Sequence, residues 1–481
     1  MSPLATSLPP HGMYTESEAS QRERGIRARQ ALPLRKLGDF VAVKRDPVKL
    51  IDKQNKGRIH SLVPLRHYRM AASPFTFYRG SAGLMAHDLA HQPQTGIQIV
   101  ICGDAHISNF GLYASPERRL VFDLNDFDEA APGPWEWDVR RMLTSLALAA
   151  RENGETPEHV EKIVLSAATS YRTSLAKLLE VDALSRHYYS GVDTFLAKQV
   201  RASGINTLEE VTNKAKRRDS DRAIAKLMGP DTMGYIRFKD EPPVLTPVHV
   251  DDQNAVEDLF EEYARSTSPE IGYLLTRYTL TDVARRVVGV GSVGTRCFVI
   301  ALTGPEGKGL VLQAKEALTS VVQEYSEPNI TTPPTLPPGT PNGLRVISQQ
   351  RILQAFSDPF LGHLDANGRS FYVRQFRDYK GSFDTSLMNR KELTNYGALC
   401  ALLLARAHSQ NPLAHWIGGY IGDSKDFDEG MTQWSLAYAD QAESDYKEFM
   451  EAIASGRIKA SSEDGATNAV MNLTQVHELG S

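Results

Sequence analysis

Two polar segments, each lying directly after a largely apolar run, constrain the fold of this chain more than any other feature. The first, Cys102–Gly111, follows residues 97–101, and the second, 121–129, begins with apolar residues and contains three aspartates. Short apolar runs bounded by turn residues are typical of buried strands. We therefore predict that Asp104, Asn109 and an aspartate of the second segment converge at the ends of neighbouring strands.

The residue types in these segments suit a magnesium-dependent phosphotransfer site. Carboxylate and amide oxygens are the hard ligands that Mg²⁺ prefers. Four residues separate Asp104 from Asn109, as in phosphotransferase catalytic loops, where the aspartate receives a hydroxyl proton and the asparagine holds metal. Upstream, Arg79 is predicted to bind phosphate through its guanidinium, with a surface or structural ion pair as the alternative.

A glycine-rich turn much later in the chain has the features of a phosphate-binding loop. Residues 278–317 predict a strand, the turn, a second strand, another turn and a third strand that carries Lys315. Glycines let backbone N–H groups approach phosphate oxygens without obstruction by side chains. The residues of the turn that we predict to contact the nucleotide are Gly289, Gly291, Ser292 and Gly294.

The residues after this turn decide between its possible uses. A dinucleotide-binding fingerprint requires a helix directly after the glycines, whereas β-branched and aromatic residues follow here and indicate a strand. A kinase-type loop joins two antiparallel strands and precedes a strand lysine, which agrees with Lys315. Two alternatives stay open: Glu316 stands near the position of a ribose-binding acid, and the turn is also compatible with an ordinary hairpin.

Charge and cysteine content exclude several classes of partner and site. The 481 residues carry a net charge of −4, which gives no reason to expect nucleic acid or an anionic membrane as partner. The three cysteines lie far apart, which predicts a reducing compartment without a disulfide framework or structural zinc. The sequence shows neither a membrane-spanning apolar run nor a secretion signal, so we expect a cytoplasmic protein.

The order of the motifs is unusual, because in protein kinases the glycine-rich loop and lysine precede the catalytic loop. The reversed order predicts an α+β, two-lobed protein-kinase-like fold that is circularly permuted, or else a coincidence of motifs from two unrelated domains. Asp138 is predicted to be the N-cap of a long helix and to brace the Asp104 loop. The predicted units are a mobile N-terminal arm (1–40), a mostly helical lobe with the catalytic loop (41–275), a small antiparallel-sheet lobe (276–385), C-terminal helices that pack on the helical lobe (386–460) and a tail (461–481).

Several motifs resemble the bacterial family catalogued as domain of unknown function 2252. The resemblance covers about residues 40–450, and its motifs lie at 69–80, 103–111, 125–129, 133–138, 289–294, 313–317 and 350–355. This family is grouped with protein-kinase-like folds. The resemblance therefore implies such a fold, and it implies no substrate.

The catalytic segment is also similar to that of small-molecule kinases of the aminoglycoside and choline type. Their loop reads Gly-Asp-x-His-x-x-Asn, which is matched by Gly103, Asp104, His106 and Asn109. In these kinases an acidic metal segment precedes a helix-starting aspartate, and the offset between Asp126 and Asp138 agrees with that spacing. The resemblance thus implies Asp126 rather than Asp123 as the main metal ligand, with Asp128 as an auxiliary.

One departure from the kinase pattern concerns the partner of Lys315. The helix predicted at Arg345–Gln354 contains no glutamate that could pair with this lysine. The residues that remain as candidates are Gln349, Gln350, Glu316 and Glu324.

We expect an enzyme that transfers the γ-phosphoryl group of ATP, with Mg²⁺, to an unidentified hydroxyl-bearing small molecule or protein. Asp104 would orient and deprotonate the acceptor, Asn109 and Asp126 would hold the metal, and Lys315 would contact the α- and β-phosphates. His106 would either neutralise charge or shape the loop. The alternatives are an ATP-binding pseudokinase that acts as a regulatory module, an AMP transferase on the same scaffold and, less favoured, a dehydrogenase.

Overall fold

The computed structural model describes residues 16–188, 220–230, 233, 235–248, 253–327, 336–376 and 381–463. These residues form an α+β structure with helices, three two-stranded sheets and one six-stranded antiparallel sheet. Residues 1–15 of the predicted arm and 464–481 of the predicted tail lie outside the described part. Within it, no helix is both long and apolar enough to cross a membrane.

Helices dominate the first part of the chain and its C-terminal part. The N-terminal helices are Glu18–Ala31 (α1), Pro47–Asn55 (α2), Val63–Met70 (α3), Pro74–Gly80 (α4), Ala82–Leu89 (α5), Trp135–Glu152 (α6), Pro157–Leu178 (α7) and Ala183–Tyr188 (α8). The next ones are Ser220–Leu227 (α9), Gln253–Ser266 (α10), Pro269–Leu275 (α11), Val321–Tyr325 (α12) and Asn342–Leu353 (α13). The C-terminal helices are Arg390–Ser409 (α14), Ala414–Ile421 (α15) and Lys425–Ala454 (α16).

Two short strand pairs flank the polar segments that the sequence singled out. Gln98–Ile101 (β1) pairs with Ala131–Pro134 (β4), and Phe110–Ala114 (β2) pairs with Leu120–Leu124 (β3), all antiparallel. These strands are almost entirely buried. The polar residues at 102–109 and 125–130 therefore follow directly from buried strands, and the strand ends that we predicted for them are confirmed.

The six-stranded sheet contains the glycine-rich turn. Its strands, in spatial order, are Gly362–Ala366 (β11), Arg369–Gln375 (β12), Gly309–Glu316 (β10), Cys297–Thr303 (β9), Thr279–Arg286 (β8) and Leu245–Pro247 (β7). Successive side chains of β10 point to opposite faces of the sheet, as in any pleated strand. Val311 therefore belongs to one apolar cluster, and Leu310 and Leu312 belong to another. A further short pair, Met228–Pro230 (β5) with Ile236–Phe238 (β6), precedes the sheet.

The sheet extends beyond the segment predicted for the small lobe. β7 pairs with β8, although residues 245–247 fall within the predicted helical lobe (41–275). Tyr263 of α10 and Ile271 of α11 belong to an apolar cluster of the sheet strands. Because these two helices reach the sheet through tertiary contacts, their local sequence did not predict that they pack on it.

The helix α6 lies in the main hydrophobic core, where α7, α14 and α16 pack against it. Every residue from Trp135 to Ala150 is buried, as expected for a helix enclosed on all sides. The helix starts at Trp135, after Pro134, so the prediction that Asp138 is the N-cap is wrong. Asp138 instead lies in the first turn, where its carboxylate is available to another part of the chain.

Part of the predicted mobile arm is a packed helix. α1 crosses α15 at very short range: a methyl group on Gly25 would lie 2.2 Å from the carbonyl oxygen of Trp416. Arg29 also donates a hydrogen bond to the carbonyl of Gly419 (2.7 Å). The contact depends on small residues and main-chain acceptors rather than an apolar stripe, so the polar composition of residues 18–31 was misleading.

Candidate active site

The loop after β1 is held by the aspartate of α6. Asp138 accepts hydrogen bonds from the backbone N–H groups of Cys102 (2.7 Å) and Gly103 (2.8 Å). Gly103 has a φ of +77°, and a methyl group there would lie 2.3 Å from the carbonyl oxygen of Glu129. Only glycine suits this position, and Asp138 braces the loop as predicted.

The carboxylate of Asp104 faces an arginine that the sequence analysis did not identify. Arg141 Nε donates to Asp104 Oδ1 at 2.7 Å, and the same guanidinium donates to the carbonyl of Tyr78 (2.8 Å). Burial raises the pKa of Asp104, and the charge of Arg141 opposes that effect. Arg141 follows Asp138 by three residues on α6, which places both on one helix face.

Two further residues of the catalytic loop lie beside Asp104. Asn109 Nδ2 donates to the backbone carbonyl of Asp104 (2.7 Å). His106 Nε2 lies 3.8 Å from Asp104 Oδ2. Burial, together with the charges of Arg79 and Arg141, lowers the pKa of His106 well below its usual value, so the imidazole is neutral. Its Nδ1 is buried and has no hydrogen-bond partner among the described residues.

The acidic segment after β3 separates into residues inside and outside the cleft. Asp126, Asp128 and Glu129 line the same cleft as Asp104. Asp123 does not, and its side chain is buried elsewhere. Burial and the nearby carboxylate of Asp128 raise the pKa of Asp126. Of the two candidate metal ligands, Asp126 is therefore the one beside the catalytic loop.

Lys315 joins this acidic group from the six-stranded sheet. Its Nζ contacts Asp128 Oδ2 and lies 3.9 Å from Asp126 Oδ1. None of the four partners considered from sequence fills that role. Glu316 pairs with Arg296 (3.3 Å) and Arg369 (3.2 Å), and the partners recorded for Lys315 are the two aspartates.

The glycine-rich turn contacts α3, α4 and the connection between α2 and α3 near the cleft. Gly289 and Gly294 have φ angles of +67° and +89°, which favour glycine. The carbonyl of Gly289 accepts a hydrogen bond from Arg69 (2.7 Å), and that of Gly294 accepts one from the backbone N–H of Ile59 (2.7 Å). A methyl group on Gly291 would lie 3.2 Å from the carbonyl oxygen of Arg79. The turn thus lies directly over α4.

The cleft formed by these elements has a volume of about 120 Å³. Among the residues predicted from sequence, its lining includes Arg79, Asp104, His106, Asn109, Asp126, Asp128, Gly289, Gly291 and Ser292. Gly294 packs against Arg58 instead, and Lys315 reaches the group through Asp128. Arg58 and Glu129 also line the cleft. Sequence reasoning missed Arg58 because it stands in no recognised motif, and it did not single out Glu129 from the aspartates of the motif at 125–129.

The cleft contains some of the side-chain oxygens that a magnesium site needs. No cluster of three or more His, Cys, Asp or Glu side chains in the described ranges is arranged to hold a metal. Asp126 Oδ1 is nevertheless buried without a hydrogen-bond partner there, and Asn109 lines the same cleft. A carboxylate and an amide of this kind suit Mg²⁺, which retains several waters and needs few protein ligands.

Comparison with known proteins places the chain in a family. The family model described as "Uncharacterized protein conserved in bacteria (DUF2252)" matches residues 58–452. No curated protein and no solved structure matches the chain. The matched region contains every cleft-lining residue except Gln54, from Arg58 to Leu318. Because the match spans most of the sequence, this chain belongs to the DUF2252 family of uncharacterized proteins conserved in bacteria.

Proposed function

We propose that this protein is an ATP- and Mg²⁺-dependent phosphotransferase. One observation carries the proposal: Asp104, Asn109 and Asp126 share a cleft with the glycine-rich turn, and Lys315 contacts the acids of that cleft from the sheet. These are the parts that phosphoryl transfer requires, since its catalysis consists mostly of positioning and charge neutralisation.

Each residue has a role that follows from its environment. Arg141 holds one oxygen of Asp104, which leaves the other to orient the acceptor hydroxyl and take its proton. Lys315 would bind the α- and β-phosphates, while Arg79 and backbone N–H groups of the turn would bind the remaining phosphate oxygens. Asn109 and Asp126 would hold Mg²⁺, which neutralises phosphate charge when bound. The neutral imidazole of His106 shapes the loop.

The proposal includes a circularly permuted, two-lobed kinase-like fold. In its support, the strands β8, β9 and the lysine strand β10 are consecutive neighbours in one antiparallel sheet, with the glycine-rich turn between β8 and β9. The helices α12 and α13 and the β11–β12 hairpin follow. The catalytic loop and the acidic segment come from the helical part instead. The acceptor would be a hydroxyl-bearing small molecule or protein in the cytoplasm.

Labelled ATP tests the proposal directly. Asp104→Asn should abolish transfer of the γ-phosphate label to acceptors from a metabolite extract, while the nucleotide still raises the melting temperature. Asp365→Asn, which changes an exposed aspartate on β11, is the matched control and should keep full activity.

Three results would overturn or redirect the proposal. A fully active Asp104→Asn variant would contradict the assigned role. The appearance of α-phosphate label in the product would instead indicate AMP transfer. Nucleotide binding without any transfer would indicate a pseudokinase module.

A further inference from the structure

Lys315 is a buried cation that depends on two carboxylates. Its exposure is 2%, and its Nζ contacts Asp128 while Asp126 lies at 3.9 Å. The position of its ammonium group is therefore set by the acids beside it.

The two oxygens of Asp128 are both occupied by the six-stranded sheet. Oδ2 accepts from Lys315, and Oδ1 accepts from the Tyr372 hydroxyl at 2.8 Å. Lys315 and Tyr372 are direct neighbours across β10 and β12, so their side chains leave the same face of the sheet. Each oxygen of Asp128 thus already accepts a hydrogen bond from a side chain of the sheet.

Asp126 has the opposite environment. Its Oδ1 is buried and has no hydrogen-bond partner among the described residues, and its nearest cation is the same Lys315, at 3.9 Å. Two aspartates separated by one residue therefore differ in what they can still bind. Asp126 retains an oxygen for a ligand, whereas Asp128 is held in place by side chains from the sheet.

The helix α13 acts on this site through an arginine rather than an acid. Residues Asn342–Leu353 include no aspartate or glutamate, so the helix offers no carboxylate to Lys315. Its Arg345 instead donates to the carbonyls of Asp128 (2.9 Å), Ala130 (2.6 Å) and Leu318 (2.8 Å). The helix thereby fixes the backbone that carries Asp128.

We propose that Asp128 is a positioning residue, which holds Lys315 at the phosphates and is itself held by Tyr372 and Arg345, rather than a magnesium ligand. This inference rests on the proposed function and refines it, because it leaves Asn109 and Asp126 as the protein ligands of the metal. Asp128 would thereby replace the glutamate that α13 lacks.

Binding of the fluorescent nucleotide mant-ADP, titrated with Mg²⁺, separates the two roles of Asp128. Asp128→Asn and the milder Tyr372→Phe should weaken mant-ADP binding at saturating Mg²⁺ in the natural background. In a Lys315→Met background, neither change should weaken binding further, because coupled residues are not additive. Asp126→Asn is the positive control, and in both backgrounds it should raise the half-saturating Mg²⁺ concentration about tenfold or more.

The outcomes distinguish this inference from the proposed function. If Asp128→Asn raises the half-saturating Mg²⁺ concentration in the Lys315→Met background as Asp126→Asn does, then Asp128 is a metal ligand and the inference is wrong. If the natural protein binds no mant-ADP at any Mg²⁺ concentration, the proposed function itself fails. Circular dichroism melts of each variant show whether a loss reflects unfolding, and Tyr372→Phe, which removes one hydroxyl, keeps the test available if Asp128→Asn does not fold.

Discussion

Two cavities adjoin β3 and the residues that follow it, and they differ in kind. The larger, about 440 Å³, lies between α7 and α14, and its lining is mostly apolar apart from a row of hydroxyls, Lys177 and the pair Asp123–Arg406. The smaller is the cleft of about 120 Å³ with Asp104 and Asp126. By its size the larger cavity would be the expected functional site. The hydrogen bonding of its aspartate argues against this role.

The aspartates of the two cavities show why. Asp123 accepts hydrogen bonds from the backbone N–H groups of Leu124 and Ala355 (2.9 Å each), and Arg406 lies 3.9 Å away. Asp126 has a buried oxygen without such a partner among the described residues. Burial raises the pKa of both, so burial does not discriminate between them. What distinguishes the candidate site is a buried carboxylate oxygen without a hydrogen-bond donor among the described residues.

The largest expected effect comes from exchanging each of these two aspartates for asparagine. Asp126→Asn should lower phosphoryl transfer about 1,000-fold with little loss of stability, because Asp128, which repels this carboxylate, remains in contact with Lys315. Asp123→Asn should leave activity intact and lower the free energy of unfolding by about 3 kcal/mol, since Arg406 would be buried without its counter-charge. Urea denaturation and labelled-ATP turnover measure the two effects.

The pair of variants is informative because the substitution is the same. A loss of activity in Asp123→Asn at full folding would place the larger cavity in the reaction. Equal losses of stability in both variants would show that Asp126 is as well hydrogen-bonded in solution as Asp123. The difference that we infer between the two cavities would then be wrong.

Arg79 provides the next test, because it is a cation that the fold does not require. Its Nε is buried without a hydrogen-bond partner in the described part of the chain, and burial lowers its pKa, although Asp104 and Asp126 oppose this. The folded state therefore disfavours its charge. Arg79→Met should lower phosphoryl transfer about 100-fold while the melting temperature stays equal or rises. Residues kept for activity at a cost in stability show this combination when they are replaced.

Arg69 is the matched control for Arg79. It hydrogen-bonds the Gly289 carbonyl (2.7 Å) and pairs with Glu463 (2.6 Å), so Arg69→Met should lower the melting temperature. If Arg79→Met destabilises the protein as much as Arg69→Met does, then Arg79 is a structural arginine, and the alternative raised from sequence is the correct one.

The sequence predicts the parts of this site that follow from local patterns. Asp104 and Asp126 closely follow apolar runs and Asn109 directly precedes one, so their place at strand ends could be inferred without the fold. The strand order around the glycine-rich turn was predictable for the same reason, since β-branched residues and turn residues alternate there.

What the sequence does not predict depends on contacts between distant segments. Nothing in the neighbourhood of Arg141 indicates that it holds Asp104, and nothing near Tyr372 indicates that it holds Asp128. The helix start at Trp135 was missed because aspartate is a residue type favoured at N-caps. Asp138 instead accepts a hydrogen bond from the backbone N–H of Cys102 in another loop. Residues 18–31 appeared to be an arm because a helix contact through Gly25 leaves no apolar stripe.

The smallest expected effect concerns the glycine-rich turn, for which the turn between β9 and β10 is a natural control. Gly294 and Gly307 have φ angles of +89° and +72°. Alanine at either position should cost about 1 kcal/mol of stability through left-handed backbone strain. A methyl group on Gly294 would also lie 3.1 Å from Arg58 Cβ, whereas nothing lies within 4 Å at Gly307.

The two alanine variants should therefore unfold at similar urea concentrations and differ in nucleotide binding. Arg58 lines the cleft and donates to the carbonyl of Val293 (2.8 Å), so a displaced Arg58 would shift the turn relative to the phosphates. We expect the affinity for mant-ADP to be several-fold weaker in Gly294→Ala and unchanged in Gly307→Ala. Equal weakening in both would mean that general strain in the sheet, rather than the placement of the turn over the cleft, controls nucleotide binding.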